Sequence, residues 1–107
     1  MENQHKKIVG YRDLSQVEID LMNRIKEKGA EMLELQQELV LLLAQQQHAL
    51  KSAIGFDEKE RLYGNSEPAV ELRRFDHAEP HRWAAIGKTD IQTGIMALVR
   101  AVAQPAV

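Results

Sequence analysis

The feature that most constrains this chain is a stretch from Ser15 to Ser52 that contains no proline and a single glycine. Along it, a stripe of mostly apolar or small residues recurs at alternating spacings of three and four, the pattern of a coiled-coil seam. The positions of this stripe are Met22, Ile25, Gly29, Met32, Gln36, Leu39, Leu43, Gln46 and Leu50. The pattern predicts one long helix over residues 15–52.

The start of this helix carries its own signal. Ser15 and Glu18 have the S-x-x-E spacing of a capping box, in which the serine oxygen accepts from the third helical amide and the glutamate reaches back to the cap amide. Asp13 adds negative charge near the positive end of the helix dipole. We therefore expect the helix to begin directly after Ser15.

The length of the predicted helix has a consequence for assembly. A helix of about 37 residues is about 55 Å long, whereas a compact chain of about 100 residues has a radius of gyration of about 13 Å. Around Leu39–Leu43 apolar residues cover the helix on all sides, which implies burial on several sides. One protomer cannot cover such a rod, so the sequence predicts a homo-oligomer.

The remaining chain predicts a connector and a second long helix. Ser66 as cap and Pro68 in the first turn favour a short helix to about Phe75. Pro80 suits the first turn of a final helix, in which Gly87 and Gly94 cost about 1 kcal/mol each against alanine and so predict close helix approach. The prediction is an all-α single domain, 1–107, with two long helices in an antiparallel hairpin. Its parts are an arm, 1–14, the long helix, 15–52, the connector, 53–79, and the C-terminal helix, 80–103.

Composition excludes several classes of function. The formal net charge of −2 argues against DNA binding driven by phosphate attraction. There is no cysteine, so disulfides and thiolate metal sites are excluded. The longest apolar run, Leu39 to Ala44, is far shorter than the roughly 20 residues that span a membrane, and no signal peptide is visible. We expect a cytoplasmic protein that binds neither DNA nor membrane.

Catalytic and metal-binding patterns are weak. The chain has no G-x-S-x-G motif, no phosphate-binding glycine loop and no cysteine nucleophile. His77 and His81 lie four positions apart beside Asp76 and Glu79, which resembles half of a metal site. Pro80 interrupts that spacing and no third ligand is evident, so a solvated helix entry is the simpler interpretation. We expect no enzymatic activity, no cofactor and no metal.

Two residues near the first helix suit a small planar anion. Tyr11, next to Gly10, has two interpretations of similar weight: a hydrophobic staple before the helix, or a ring that stacks on a nucleobase. Lys26, beside Glu27 and Lys28, is either part of a solvated coiled-coil face or a cation for a bound anion. The residue pattern alone leaves both questions open.

Two motifs, GYRDLSQVEIDLMNRIK near the start and HRWAAIGKTDIQTGIMALVRAVAQP near the end, resemble the phage anti-CBASS family of cyclic-oligonucleotide sponges. They cover somewhat under half of the chain, and the middle, roughly 33–79, supports no transfer of residue roles. The resemblance implies a small helical protein that assembles as a compact homohexamer. It also implies that bacterial immune signals such as 3′,3′-cGAMP are bound intact in the infected host and withheld from the CBASS effector.

The resemblance also implies roles for individual residues. Tyr11 would stack on a base of a cyclic dinucleotide, and Lys26 would pair with its phosphate. Some family members hold cyclic trinucleotides at a second site, for which Arg82, Lys88 and Thr89 would be the donors here. Two other functions stay open: a coiled-coil adaptor or regulator that binds a protein partner, and a hydrolase that degrades the messenger.

Overall fold

A computed structural model describes residues 12–106, which form helices and contain no β-strand. In chain order the helices are α1 (Gln16–Ile54), α2 (Glu58–Tyr63), α3 (Glu67–Ala78) and α4 (Pro80–Ala103). The predicted all-α class, with long first and last helices, is confirmed. Within the described part of the chain, no helix has both the length and the apolar composition that crossing a membrane requires.

The ends of α1 follow from local signals. The Ser15 amide donates to Glu18 Oε1 at 2.9 Å, and the Glu18 amide donates to Ser15 Oγ at 3.2 Å, which confirms the capping box. At the other end α1 reaches Ile54, two residues beyond the predicted boundary. Gly55 follows with φ of 79°, and its amide donates to Lys51 O at 3.0 Å. Glycine adopts this left-handed conformation without a side-chain penalty, so it ends the helix.

The segment predicted as a connector contains two helices where one was expected. The additional helix, α2, starts after Asp57, whose Oδ1 accepts from the Glu60 amide at 3.2 Å. This Asp-x-x-Glu spacing is a start signal that the sequence analysis overlooked. The expected helix, α3, begins after Ser66, whose Oγ accepts from the Ala69 amide at 3.4 Å, and continues to Ala78 rather than Phe75.

The described residues form two compact units, of which the first comprises residues 12–34 and 89–106. In this unit α1 and α4 run antiparallel, because Arg12 bonds to Ala103 whereas Gly29, further along α1, lies against Ile95. A Cβ atom on Gly29 would stand 2.6 Å from Ile95 Cγ1, so the absence of a side chain permits this approach. The pairing agrees with the predicted hairpin.

The prediction that another helix approaches Gly87 and Gly94 closely is wrong for the described part of the single chain. Among residues 12–106, a Cβ atom built on either glycine would meet nothing within 4 Å. Contacts with the described residues therefore do not offset the cost of these glycines in helix stability. The glycine of the hairpin that does meet a neighbouring helix at short range is Gly29.

The second unit, residues 35–88, contains the five buried hydrophobic residues of the described chain. Ala69 and Leu72 of α3 are fully buried, and Phe75 packs with Leu43 and Ala84. Arg73 of α3 connects α3 to α2, because its guanidinium donates hydrogen bonds to two backbone carbonyl oxygens near the end of α2. These are Arg61 O, at 2.9 Å, and Gly64 O, at 2.6 Å.

Within this unit, α1 has apolar side chains that the described part of the chain leaves exposed. Leu35, Leu41 and Leu42 are 58%, 60% and 49% exposed. Single exposed apolar residues are common, but a run of them along one helix marks an interaction surface. Side chains that are buried only in an assembly would be exposed in this way in a single protomer. Assembly and the number of chains stay predictions.

Candidate functional site

The start of α1 is tied to the end of α4 by Arg12. Its Nε donates to Ala103 O at 3.1 Å, and Nη2 donates to Val102 O at 2.8 Å. Nη2 also forms an ion pair with Glu18 Oε2, and Nη1 donates to Asp13 O at 3.4 Å. We call the contacts of Arg12 with Glu18, Val102 and Ala103 the Arg12 clasp.

The geometry of the clasp suits arginine. The last carbonyl groups of a helix have no partner within the helix and carry partial negative charge. At the end of α4, Gln104 adopts a positive φ of 49°, and Pro105 has no amide to offer. A planar guanidinium presents five donors in a fork, so it can serve two carbonyls and a carboxylate together.

The clasp perturbs the acidity of Glu18. Hydrogen bonding from Arg12, and then from the Ser15 amide, lowers the pKa of Glu18 from 4.5 to about 2. Partial burial opposes this shift but is outweighed. Glu18 therefore has two roles, since it completes the capping box and neutralises the charge of Arg12.

The lowered pKa predicts a pH dependence of stability. A carboxyl whose pKa is lower in the folded state contributes stability that is fully present above the unfolded value, here 4.5, and is lost as pH falls towards about 2. In the Arg12→Ala variant, the pKa of Glu18 should move back towards 4.5, because its main cause is removed. NMR titration of the Glu18 carboxyl carbon measures this directly.

The matched control for this titration is Glu71, whose pKa is lowered mainly by its hydrogen bond with Arg74. Arg74 Nε lies 2.9 Å from Glu71 Oε1 within α3, so Arg12→Ala should leave the titration of Glu71 unchanged. A Glu18 pKa near 2 in the Arg12→Ala variant would contradict the assignment of the shift to the clasp.

Lys26 lies on α1 with its side chain exposed. Its neighbour Lys28 pairs with Glu31 at 3.3 Å, whereas Lys26 has no ion-pair partner among residues 12–106. Its ammonium group is therefore available to an anion. Tyr11, the other predicted contact, lies outside the described residues, so its proximity to Lys26 stays a prediction.

A groove of about 420 Å³ opens between α1 and α4 in the first unit. Its lining is mainly apolar and includes Leu21, Ile25, Gly29, Met32, Ile91, Gly94, Ile95 and Leu98, with Arg24, Lys28 and Asp90 also present. Lys26 does not line it. An apolar surface of this kind suits apolar side chains better than a phosphate, so we do not place the anion site there.

The residues predicted for a second site lie on α4. Arg82 is exposed, lies 3.5 Å from Glu79 Oε2 and places its guanidinium 5.3 Å from the centre of the Trp83 ring. Lys88 and Thr89 are also exposed. Arg82 and Lys88 are about 120° apart around an ideal helix, so they do not share a face. One chain therefore does not gather these two cations, and the second site stays a prediction.

The histidines do not form part of a metal cluster in the described chain. His81 packs its ring edgewise against Phe75, with centroids 5.9 Å apart. Across residues 12–106, no three His, Cys, Asp or Glu side chains are placed together to hold a metal ion. The contact with Phe75 gives His81 a packing role.

The contacts of Arg12 with the end of α4 were not predicted from the sequence. The sequence pattern assigned Glu18 to the capping box alone. The partners in α4 lie 90 and 91 positions away, a distance at which no local pattern predicts a contact. One local signal was present: Arg12 lies three residues before the capping box, and the Glu18 carboxylate has a second oxygen that can accept from an arginine.

Comparison with known proteins extends the similarity through the middle of the chain. The family model described as "Acb2/Tad1, hairpin domain" matches residues 4–103. A relative from Pseudomonas phage JBD67, Anti-CBASS protein 2, is 55% identical over 105 residues, which cover 98% of this chain and 97% of the relative. The antiparallel pairing of α1 with α4 agrees with the hairpin of the family description. The chain therefore belongs to the Acb2/Tad1 hairpin-domain family.

Proposed function

We propose that this protein is a phage anti-immune sponge, which binds cyclic dinucleotides such as 3′,3′-cGAMP intact and so prevents activation of CBASS effectors in the host cytoplasm. The observation that carries the proposal is the 55% identity to Anti-CBASS protein 2 over nearly the whole length of both chains. The resemblance of the N-terminal motif to the sponges supplies the ligand class, and the available cation at Lys26 is consistent with it.

The proposed contacts are a base stacked on Tyr11 and a phosphate paired with Lys26. Each contributes about 1–3 kcal/mol, whereas a nanomolar dissociation constant corresponds to about −12 kcal/mol. These two contacts of one chain are therefore insufficient for sequestration. A pocket closed by a neighbouring protomer would exclude water and strengthen each charge interaction.

This requirement connects ligand binding with assembly. The exposed leucines of α1 supply a surface that other protomers can cover. We propose a homohexamer, the state implied by the resemblance to the sponge family. The second site, with Arg82, Lys88 and Thr89, would then draw its donors from several protomers and hold a cyclic trinucleotide.

The exposed surface of α1 also fits a second candidate function, a coiled-coil adaptor or regulator that binds a protein partner. The two functions differ in one measurable property, since an adaptor binds no small molecule. Calorimetric titration against a panel of cyclic di- and trinucleotides should show binding of at least one dinucleotide. A panel without any heat of binding would favour the adaptor.

A sponge is further expected to show no turnover. Incubated with excess 3′,3′-cGAMP, the protein should leave the nucleotide unchanged by chromatography, and heat denaturation should release the bound fraction intact. Stacking and ion pairing supply binding energy without breaking a phosphodiester bond, which is the physical reason for this result. Linear products that increase with protein and time would instead indicate a hydrolase.

A further inference from the structure

The Arg12 clasp connects directly, along the chain, to the residue proposed to stack on the ligand. Arg12 follows Tyr11 in the sequence, and consecutive Cα atoms are about 3.8 Å apart across a trans peptide. The structure fastens Arg12 on two sides, to Glu18 at the start of α1 and to the Val102 and Ala103 carbonyls at the end of α4. The residue that follows Tyr11 is therefore bonded to both helices of the hairpin, α1 and α4.

We propose that Arg12 is a positioning residue of the dinucleotide site, which acts on the ligand through the adjacent Tyr11 because its side chain ties the start of α1 to the end of α4. This inference rests on the proposed function. It adds a residue with no contact to the ligand, and it makes the last turn of α4 part of the support of the site.

The occupation of the guanidinium argues against direct phosphate binding by Arg12. Nε is used by Ala103 O, and Nη2 by Val102 O and Glu18. Nη1 lies 3.4 Å from Asp13 O and 3.5 Å from Glu18 Oε1. The carboxylate of Glu18 also neutralises its charge. A phosphate would have to displace these partners, whereas the ammonium of Lys26 has none among the described residues.

The expected benefit of the clasp is preorganisation. Ordering the backbone of one residue costs enough free energy to change an equilibrium roughly 5- to 30-fold. If Arg12 loses its contacts with Glu18, Val102 and Ala103, this free-energy cost reduces ligand affinity instead of folding stability. Removing the clasp should therefore weaken 3′,3′-cGAMP binding by roughly this factor.

A double-mutant cycle tests the inference with the full-length protein and 3′,3′-cGAMP in a calorimeter. The four proteins are the parent, Arg12→Ala, Tyr11→Ala and the double variant. Because Arg12 acts through Tyr11, Arg12→Ala should weaken binding roughly 5- to 30-fold in the parent but less than about twofold in the Tyr11→Ala background. A role in general stability would reduce affinity equally in both backgrounds, so equal losses overturn the inference.

A second variant keeps the test valid if Arg12→Ala folds poorly. Glu18→Gln preserves a capping-box side chain, because glutamine serves at this position, but it removes the charge that holds Arg12. It should weaken binding in the same direction, and again only when Tyr11 is present. Parent-like affinity of both Arg12→Ala and Glu18→Gln overturns the inference while the proposed function stands. Parent-like affinity of Tyr11→Ala overturns the proposed site and the inference together.

Discussion

Replacing Leu41 and Leu42 by aspartate is expected to abolish assembly, so that the mass in solution falls from several times 12.2 kDa to that of one chain. Both leucines are largely exposed in the protomer, at 60% and 49%, and their burial is expected only in an oligomer. A charge buried there without a partner is strongly disfavoured, whereas in the free protomer it stays in water. Light scattering at micromolar concentration measures the change.

The matched control replaces the same two leucines by methionine, which keeps the apolar character and nearly the volume of the side chain. This variant should retain the mass of the parent protein. Far-UV circular dichroism should show that the aspartate variant remains helical, which separates lost assembly from unfolding. A parent protein that is monomeric at micromolar concentration, or an aspartate variant with the parent's mass, would contradict the assembly hypothesis.

The choice of these positions shows what the residue pattern could and could not predict. The seam places Leu39 and Leu43 on the same stripe, as if they were equivalent. In the structure Leu39 is 43% exposed, whereas Leu43 is 8% exposed and packs with Phe75 and Ala84. Periodicity identifies an apolar face, but which part of it the chain's own helices cover depends on tertiary packing. Aspartate at Leu43 would unfold the second unit and would not report on assembly.

Helix boundaries were predictable where one side chain bonds to a nearby backbone amide. Ser15 and Ser66 act as caps, as their spacing indicated, and Pro80 begins α4. The short helix α2 was missed, because six residues carry too little periodicity to outweigh the neighbouring glycines. A start signal at Asp57 was present, but helices of this length owe their stability mainly to tertiary contacts.

The candidate site likewise has residues that could be predicted from the sequence and contacts that only the structure shows. The roles of Lys26 and Tyr11 were predicted from a motif that resembles a known family. The Arg12 clasp is evident only in the structure, because its carbonyl partners belong to the other end of the chain. Backbone carbonyls carry no sequence signature. An arginine that bonds to them is therefore invisible to a motif search, and it becomes evident only when the hairpin brings the start of α1 to the end of α4.

Replacing Tyr11 or Lys26 by alanine is expected to weaken 3′,3′-cGAMP binding by about 1–3 kcal/mol each, or roughly 5- to 150-fold. The first variant removes a base stack and the second a charge-assisted contact with phosphate. If the two contacts are independent, the double variant should show the sum of the free-energy losses. Calorimetric titration of the assembled proteins measures each loss, and light scattering confirms that each variant keeps the mass of the parent.

Each variant has a matched control. Tyr11→Phe keeps the ring and should bind nearly as the parent does, because stacking does not need the hydroxyl. Lys28→Ala removes a lysine two positions from Lys26 that is already paired with Glu31, and it should change affinity by less than about twofold. A loss as large for Lys28→Ala as for Lys26→Ala would indicate a diffuse electrostatic attraction instead of a phosphate contact.

Salt separates the two contacts. Screening weakens the interaction of an exposed ammonium with a phosphate but leaves stacking nearly unchanged, so raising the ionic strength should shrink the loss caused by Lys26→Ala and preserve the loss caused by Tyr11→Ala. If both variants bind as tightly as the parent while still assembled, the dinucleotide site lies elsewhere. Tyr11 is then better explained as a hydrophobic staple before α1, and Lys26 as part of its solvated face.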